Sequence, residues 1–387
     1  MEAATYFSSP WPAENLLQKV PEGEKIAVIG TSLSAIEVVL TLTSNGDFIR
    51  DDANDLVFVP PANPRRFVLY SRRGLLPKVR GKMGTYRNTF LTPANIKSVI
   101  AQNQGYLELQ AVFDLLNREL KAAYGHSIDW QAVVNPTGTP ADLLQQYLED
   151  ARNGDGPEGE LLWQTVLYQS FDMVRDVYLK LSLEDRMYFD KEYTPVLFTH
   201  AATQPAINAE KMLALMRCGL VEIVKLGRDY RFVKNDTKRV YEFYYPDRDG
   251  NRQRDTYRYV VDARGQAKSI LSDPSLLMKN LLKRRIVRIE EAQHVQAEEK
   301  KRKPLAKQNQ SNLPLYQTGS IWIDPRTHCI IRRESPHKKK RLSSIYAVGA
   351  MTRGQIIDAS MARGIVQSTG TIADQLVRFL KNPSSNG

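Results

Sequence analysis

The chain has 387 residues, 42% hydrophobic and 25% charged, with a net charge of +11 and a pI near 9.4. This is an ordinary globular composition with enough apolar residues for a sizeable core, and at one domain per roughly 150 residues it predicts two or three domains. No apolar run reaches the roughly 18 residues of a membrane span, "MEAATYFSSPWPAENLL" lacks the basic and apolar regions of a secretory signal, and no set of His, Cys and carboxylates stands at metal-ligand spacing.

Residues 1–24 read as a surface linker broken by Pro10, Pro12 and Pro21. "KIAVIG" then reads as a buried strand, and Ile36, Val39, Leu40 and Thr43 recur at helix spacing from Ser34 to Ser44. Residues 45–64 form an insertion rich in turn residues, and "RRFVLYSRR" (65–73) is a second strand ending in two arginines. From Thr92 to about Leu181 the pattern is helical, opening on a Thr-Pro cap and first-turn pair. "INAEKMLALMRCG" (207–219) is a helix and "LVEIVKL" a strand. A hairpin turns at Asn235-Asp236, and "DTYRYVVDARG" (255–265) is a strand running into a turn. "DPSLLMKNLLKRR" is helical, residues 292–316 are a basic loop, and "GSIWID", "HCIIR" and "SIYAVG" are short strands. A final helix runs from about Asp358 to Leu380, before the "NPSSNG" tail. Strands alternating with helices predict an α/β fold with a parallel sheet.

The chemistry gathers at "KIAVIGTSLSAIEVVLTL" (25–42). A dinucleotide fingerprint needs one glycine for the tight turn, a second for close approach of the pyrophosphate, and a third for packing helix on strand. Gly30 suits the first position and Ala35 the third. Ser32 holds the second, where its Cβ crowds the phosphates or its hydroxyl, with that of Thr31, donates to them. Leu33 and Ser34 open the helix, whose free N–H groups and dipole attract anions. By itself the turn fits both a nucleotide site and a plain strand-turn-helix. The second strand adds Ser71, Arg72 and Arg73, where an NAD site places an acid for the ribose. Arginine there suits a 2′-phosphate and so NADPH.

These stretches, with "SRRGLLP" (71–77), resemble the bacterial FAD/NAD(P)-binding proteins. Those are two-dinucleotide flavoproteins distantly similar to flavin-dependent N-hydroxylating monooxygenases and pyridine nucleotide-disulfide reductases. Gly30, Thr31, Leu33, Ser34 and Ala35 match the family pattern, Ser32 departs from it, and Glu37 holds its acidic slot. "YVVDARG", "SIWID" and "IYAVGAMTRGQIIDASMARGIVQSTGTIADQL" follow in the family's order. The resemblance implies a Rossmann-like NAD(P)-binding domain over residues 25–225, with a helical insertion at about 92–195. It also implies a hairpin and a partial FAD-domain-like portion over residues 226–387. Gly349 and Arg353 fall in the segment that closes over flavin in such proteins, although Ala350 replaces the usual acid. No N-terminal FAD fingerprint precedes Lys25. Three expectations stay open: a separate FAD-bearing subunit, a scaffold that has lost flavin, or a start at an internal methionine of a longer product.

His200 reads as structural, with a role as catalytic base the alternative, and Asp358 as a helix cap or a flavin contact. Cys218 and Cys329 read as buried small hydrophobes of a reducing cytoplasm. Basic runs at residues 282–288, 298–307 and 332–342 read as solvated surface, or as contacts to nucleic acid or an acidic partner. The expected activity is an NADPH-binding component that passes hydride to FAD. The alternative is an inactive Rossmann-like scaffold that meets a protein or nucleic-acid partner through its basic loops.

Overall fold

The run "IAVI" is apolar at every position because the sheet it joins is covered on both faces. In the computed structural model, Ile26 and Val28 turn to a core with helices, while Ala27 and Ile29 turn to a second core. The structure describes residues 4–103, 105, 107–125, 127–129, 132–133, 135–247, 249–265, 269–292, 316–332 and 341–381.

In chain order, β1 (Thr5–Phe7) and α1 (Ala13–Lys19) come first. The segment read as a linker is therefore a strand and a helix. Its strand adds to the sheet edge, and Leu16 and Val20 are buried in the core. Next come β2 (Lys25–Ile29) and α2 (Leu33–Leu42). The turn-rich insertion folds as a hairpin of β3 (Asp47–Arg50) and β4 (Leu56–Val59). β5 (Arg66–Ser71) follows. Just before it, the Arg65 guanidinium donates to the carbonyls of Val20, Pro21 and Leu42, closing the C-terminal ends of α1 and α2.

The helical stretch holds α3 (Pro93–Gln102), α4 (Leu109–Tyr124), α5 (Pro140–Asn153), α6 (Leu162–Lys180), α7 (Leu183–Tyr188), α8 (Thr194–Ala201) and α9 (Ala206–Arg217). Thr92 caps α3 as its sequence predicts, and Thr139 and Asp142 form a full capping box on α5. Then come β6 (Val221–Lys225), β7 (Arg231–Asn235), β8 (Val240–Pro246), β9 (Arg252–Tyr257) and β10 (Tyr259–Asp262). The last elements are α10 (Leu276–Lys283), β11 (Ile289–Ala292), β12 (Tyr316–Ile321), β13 (Cys329–Arg332), β14 (Arg341–Tyr346) and α11 (Ala362–Lys381). No described helix is long and apolar enough to cross a membrane.

The chain divides into two compact units whose boundaries differ from the sequence expectation. The first comprises residues 1–87, 117–169 and 192–265; the second comprises 88–116, 170–191 and 266–387. The hairpin strands after residue 225 thus belong with the parallel sheet, because their apolar face covers it. Parts of the helical insertion belong instead with the C-terminal portion.

In the first unit five parallel strands run in the order β1-β10-β2-β5-β6. α2, α5 and α9 pack on one face of this sheet. The antiparallel β7-β8-β9 sheet packs on the other through Tyr241, Phe243 and Tyr257. Tyr70 of β5 is fully buried there, stacked on Phe243 at 4.3 Å, with its hydroxyl 2.5 Å from Asp255 and 2.7 Å from the Tyr257 hydroxyl. In the second unit, the pairs β11-β12 and β13-β14 surround a core of Ile321, Ile323, Ile330, Ile356 and Met278. The basic run at 298–307 and residues 333–340 lie outside the described residues, as does the "NPSSNG" tail.

Candidate functional site

Because the five strands of the first unit are parallel, their C-terminal ends share one edge of the sheet. β2 leads through α2 to β5 on one side, while β10 fills the other side later in the chain. The strand order therefore reverses beside β2, and in open α/β sheets ligands bind in the crevice at such a point.

Gly30 forms the turn out of β2 at φ +126°, a region that side chains other than glycine rarely adopt. A Cβ there would lie 2.8 Å from the Ala263 carbonyl oxygen. Gly30 N–H donates to the Tyr70 carbonyl at 2.7 Å, so the turn is held from both neighbouring strands. This is the tight-turn role the sequence assigns to Gly30. Ala35 is fully buried, in keeping with close helix packing.

Thr31 departs from its expected role. Its hydroxyl is buried and donates inward to the Leu75 carbonyl at 2.6 Å; it also lies 3.1 Å from Ser71 Oγ. Ser71 Oγ accepts in turn from Gly74 N–H at 3.0 Å. Thr31 and Ser71 thus tie the turn after β2 to the loop after β5, and neither hydroxyl faces outward as a phosphate donor.

Ser32 is the N-cap of α2 and is exposed, and its side chain makes no capping bond. Its carbonyl accepts from the N–H groups of Ala35 and Ile36 at 2.9 and 3.1 Å. The N–H groups of Leu33 and Ser34 lie in the first turn, where no intrahelical acceptor exists. No acidic side chain sits in that turn to offset the positive end of the helix. Glu37 is exposed on the next turn, and partial burial pushes its carboxyl above the usual range.

The two arginines after β5 diverge. Arg72 is exposed and makes no side-chain bond among the described residues, while its carbonyl accepts from Gly227 N–H at 3.1 Å. Arg73 is half-buried and donates to the Glu192 carbonyl at 3.0 Å and to its carboxylate at 3.3 Å. Arg228 shares that carboxylate. One arginine is available to an anion; the other is already paired.

Arg264 was not singled out from the sequence. It follows Ala263, the residue against which Gly30 turns, so it stands at the same crevice. Its guanidinium grips Asp262 through two bonds of 2.9 and 2.6 Å, and Tyr6 donates to the same carboxylate at 2.7 Å. Burial alone would raise the Asp262 carboxyl, but the bonds from Arg264 and Tyr6 hold it below the ordinary range. The signal in the sequence is "VDARG", an acid and an arginine two positions apart where a strand runs into a glycine turn.

His200 is buried, with Nδ1 2.9 Å from the Val196 carbonyl and its ring edge-on to Trp163 at 5.7 Å. Burial first, and the nearby Lys78 charge second, lower its pKa to about 4. It is therefore neutral near pH 7 and engaged within its own helix. Cys329 is buried as expected, but Cys218, at the C-terminal end of α9, is exposed, its thiol pushed up by partial burial.

Gly349 and Arg353 belong to the second unit. Gly349 has φ +95° and precedes a three-residue 3₁₀ turn, Ala350–Thr352. Arg353 is half-buried; burial lowers its pKa, while Asp190 and Tyr178 oppose that effect. The Asp358 carbonyl accepts from Met361 N–H at 2.9 Å, and Gly364 packs against it so closely that a Cβ would sit 2.2 Å away.

No protein-family model matches the chain. A similar curated protein is the uncharacterized protein YdhS of Escherichia coli (strain K12), 24% identical over 287 residues. The match covers 68% of this chain and 51% of YdhS, so the chain spans about half the length of the curated relative it matches.

Proposed function

We propose that the chain is an NADPH-binding component of a flavin-dependent oxidoreductase or monooxygenase, working with an FAD-bearing partner. The observation that carries this reading is the junction of Gly30, Thr31, Ser71 and Leu75. It joins an anion-attracting helix start to the loop that presents Arg72. The helix start suits a pyrophosphate, and Arg72 suits a 2′-phosphate through charge-assisted hydrogen bonds. Ser32 stands where a glycine is usual, and its exposed hydroxyl, which makes no capping bond, suits a phosphate.

A bound nicotinamide would supply the hydride and a flavin would accept it. The residues of this chain bind and orient the nucleotide. The flavin is assigned to the partner.

Titration with NADPH and NADH, followed by nucleotide fluorescence, tests the reading. Arg72→Ala is expected to weaken NADPH by about 10- to 100-fold, the worth of a charged hydrogen bond, and to leave NADH nearly unchanged. Arg73→Ala is expected to have the smaller effect of the two, because Glu192 already holds that side chain. Equal losses for both nucleotides refute the 2′-phosphate assignment. A wild-type chain with no affinity for NADPH overturns the function and favours the scaffold reading.

Arg264→Ala gives a separate expectation. Its charge stands beside the turn of β2, away from the end of β5, so NADPH and NADH are expected to weaken together, by about tenfold. The dependence of affinity on salt is expected to flatten with it. A loss confined to NADPH would place Arg264 at the 2′-phosphate instead.

A further inference from the structure

The last helix, α11 (Ala362–Lys381), has 20 residues and is about 30 Å long at 1.5 Å per residue. One side holds it to its own unit: Gly364 and Ser368 are buried, and the Asp358 carbonyl leaves Gly364 no room for a side chain. The side pointing away carries a second pattern. Ala362, Val366, Thr369, Ala373, Leu376 and Leu380 recur at alternating steps of four and three, the spacing that runs one seam along a helix for a second helix to fill. Ile365, Ile372 and Phe379 border the seam on one side, and Gly370 and Val377 on the other, so apart from Arg363 its borders are apolar. No charge falls on the seam itself. Its one hydroxyl, on Thr369, donates back to the Ile365 and Val366 carbonyls at 2.9 and 3.0 Å and needs no outside partner. Among the described residues no element covers this face: Ile365, Val366, Leu376, Val377, Phe379 and Leu380 are exposed by 38–75%. They leave on the order of 600 Å² of apolar surface on each chain, at the top of what a monomer usually exposes in one patch.

We propose that this face is the interface of a homodimer, in which the α11 helices of two copies pair antiparallel about a twofold axis near Thr371. A seam of this spacing is complementary to another of the same spacing, and a second copy supplies one. Burying both faces removes roughly 1,200 Å² of surface, the lower end of a stable specific interface. Side-chain volume sets the direction. Antiparallel pairing places Leu380 of one copy on Ala362 of the other, Leu376 on Val366, and Ala373 on Thr369. The long side chains meet shorter ones, and the backbones approach closest at the middle, where Gly370 has open space beside it. Parallel pairing stacks alanine on alanine at two levels and leucine on leucine at two others, which leaves gaps beside crowded layers. Asp374, Arg378 and Lys381 are exposed outside the seam, where their charges stay in water.

Sedimentation velocity and light scattering on the full chain test this. At about 50 μM, well above the micromolar constants of weak specific pairs, the mass is expected to be twice the 44.0 kDa of one chain. Leu376→Glu places a carboxylate in the seam and is expected to weaken the dimer by about tenfold or more. Leu376 is exposed in the single chain, so the fold is expected to survive, as circular dichroism would read. Gln367→Glu, on the polar side, is expected to leave the dimer intact. Both variants are expected to keep NADPH affinity, because the nucleotide crevice belongs to the first unit and α11 to the second. In a Cys218→Ser chain, a short bismaleimide is expected to link Gly370→Cys chains across the axis. It is expected not to link Val366→Cys chains, whose thiols lie about 15 Å apart along the helices. A wild-type monomer overturns the proposal; if that monomer floats with phosphatidylglycerol vesicles, a bilayer takes the face instead. A dimer or aggregate that Leu376→Glu leaves unchanged overturns it as well, and linkage at Val366 rather than Gly370 overturns the antiparallel pairing.

Discussion

Replacing Gly30 with alanine is expected to weaken NADPH binding more than tenfold and to destabilise the first unit by about 3 kcal/mol. Two effects add. The backbone at φ +126° disfavours any side chain, and the new Cβ meets a carbonyl oxygen of the main chain at 2.8 Å. Backbone does not swing aside as a side-chain end does, so either β10 shifts away from β2 or the turn opens. Both outcomes move the start of α2, where the phosphates are expected. Gly219 separates the two effects. It has φ +74°, but nothing stands within 4 Å of an added Cβ, so Gly219→Ala carries conformational strain alone, ~1 kcal/mol. Urea denaturation of both variants, with NADPH titration, checks the argument. Matching losses in the two would show that contact between Gly30 and Ala263 contributes nothing.

Arg186→Met carries the largest expected effect in the second unit, a loss of about 3 kcal/mol. Arg186 donates to the Gly354 carbonyl at 2.8 Å and pairs with Glu290 at 3.3 Å. Its guanidinium also lies over the Tyr178 ring at 4.7 Å. The two charged side chains are only 10% and 6% exposed. Methionine fills much of the volume but leaves the Glu290 carboxylate buried, with the Thr318 hydroxyl donating to it at 2.6 Å. That uncompensated charge, more than the lost pair, sets the magnitude. Arg186 Nε is itself buried without a hydrogen-bond partner among the described residues, which keeps the expected loss at the low end for such pairs. Replacing Glu290 with methionine as well is expected to restore about 1 kcal/mol or more. Hydrogen exchange along the β11-β12 ladder reads the effect within this unit, and additive single losses would show that the two residues are not coupled.

The elements legible in the sequence are those whose signal is local. The apolar run Ile26–Ile29 and the cap Thr92 needed no knowledge of the rest of the chain. Neither did the hairpin at Asn235-Asp236. β1 was illegible because three residues carry no period, and it is a strand only because β10 offers an edge. Helical periodicity announced α3 and α6 without saying which core their apolar faces would join, so the insertion was assigned to one domain when it serves two units. At the site, Gly30 followed from its type. Thr31 did not, since a sequence shows that a hydroxyl exists but not that it turns inward to Leu75. Nor could adjacent arginines reveal that Arg73 would meet Glu192, more than a hundred positions away, while Arg72 stayed exposed. The Arg264–Asp262 pair was visible as letters, and gains meaning only from the turn of Gly30 against Ala263.

The edge strand β1 also orders events in time. Its ladder partner among the described residues is β10, and the Tyr6 hydroxyl reaches Asp262, 256 positions further along the chain. As the polypeptide leaves the ribosome, β2, β5 and β6 can pair in succession, but β1 must wait for β10, the last strand of this sheet to be made. Until then its apolar residues have no sheet to join. The crevice beside Gly30 is therefore finished late, with Asp262 and Arg264, and a nascent chain ending before them would carry the glycine turn without its opposite wall.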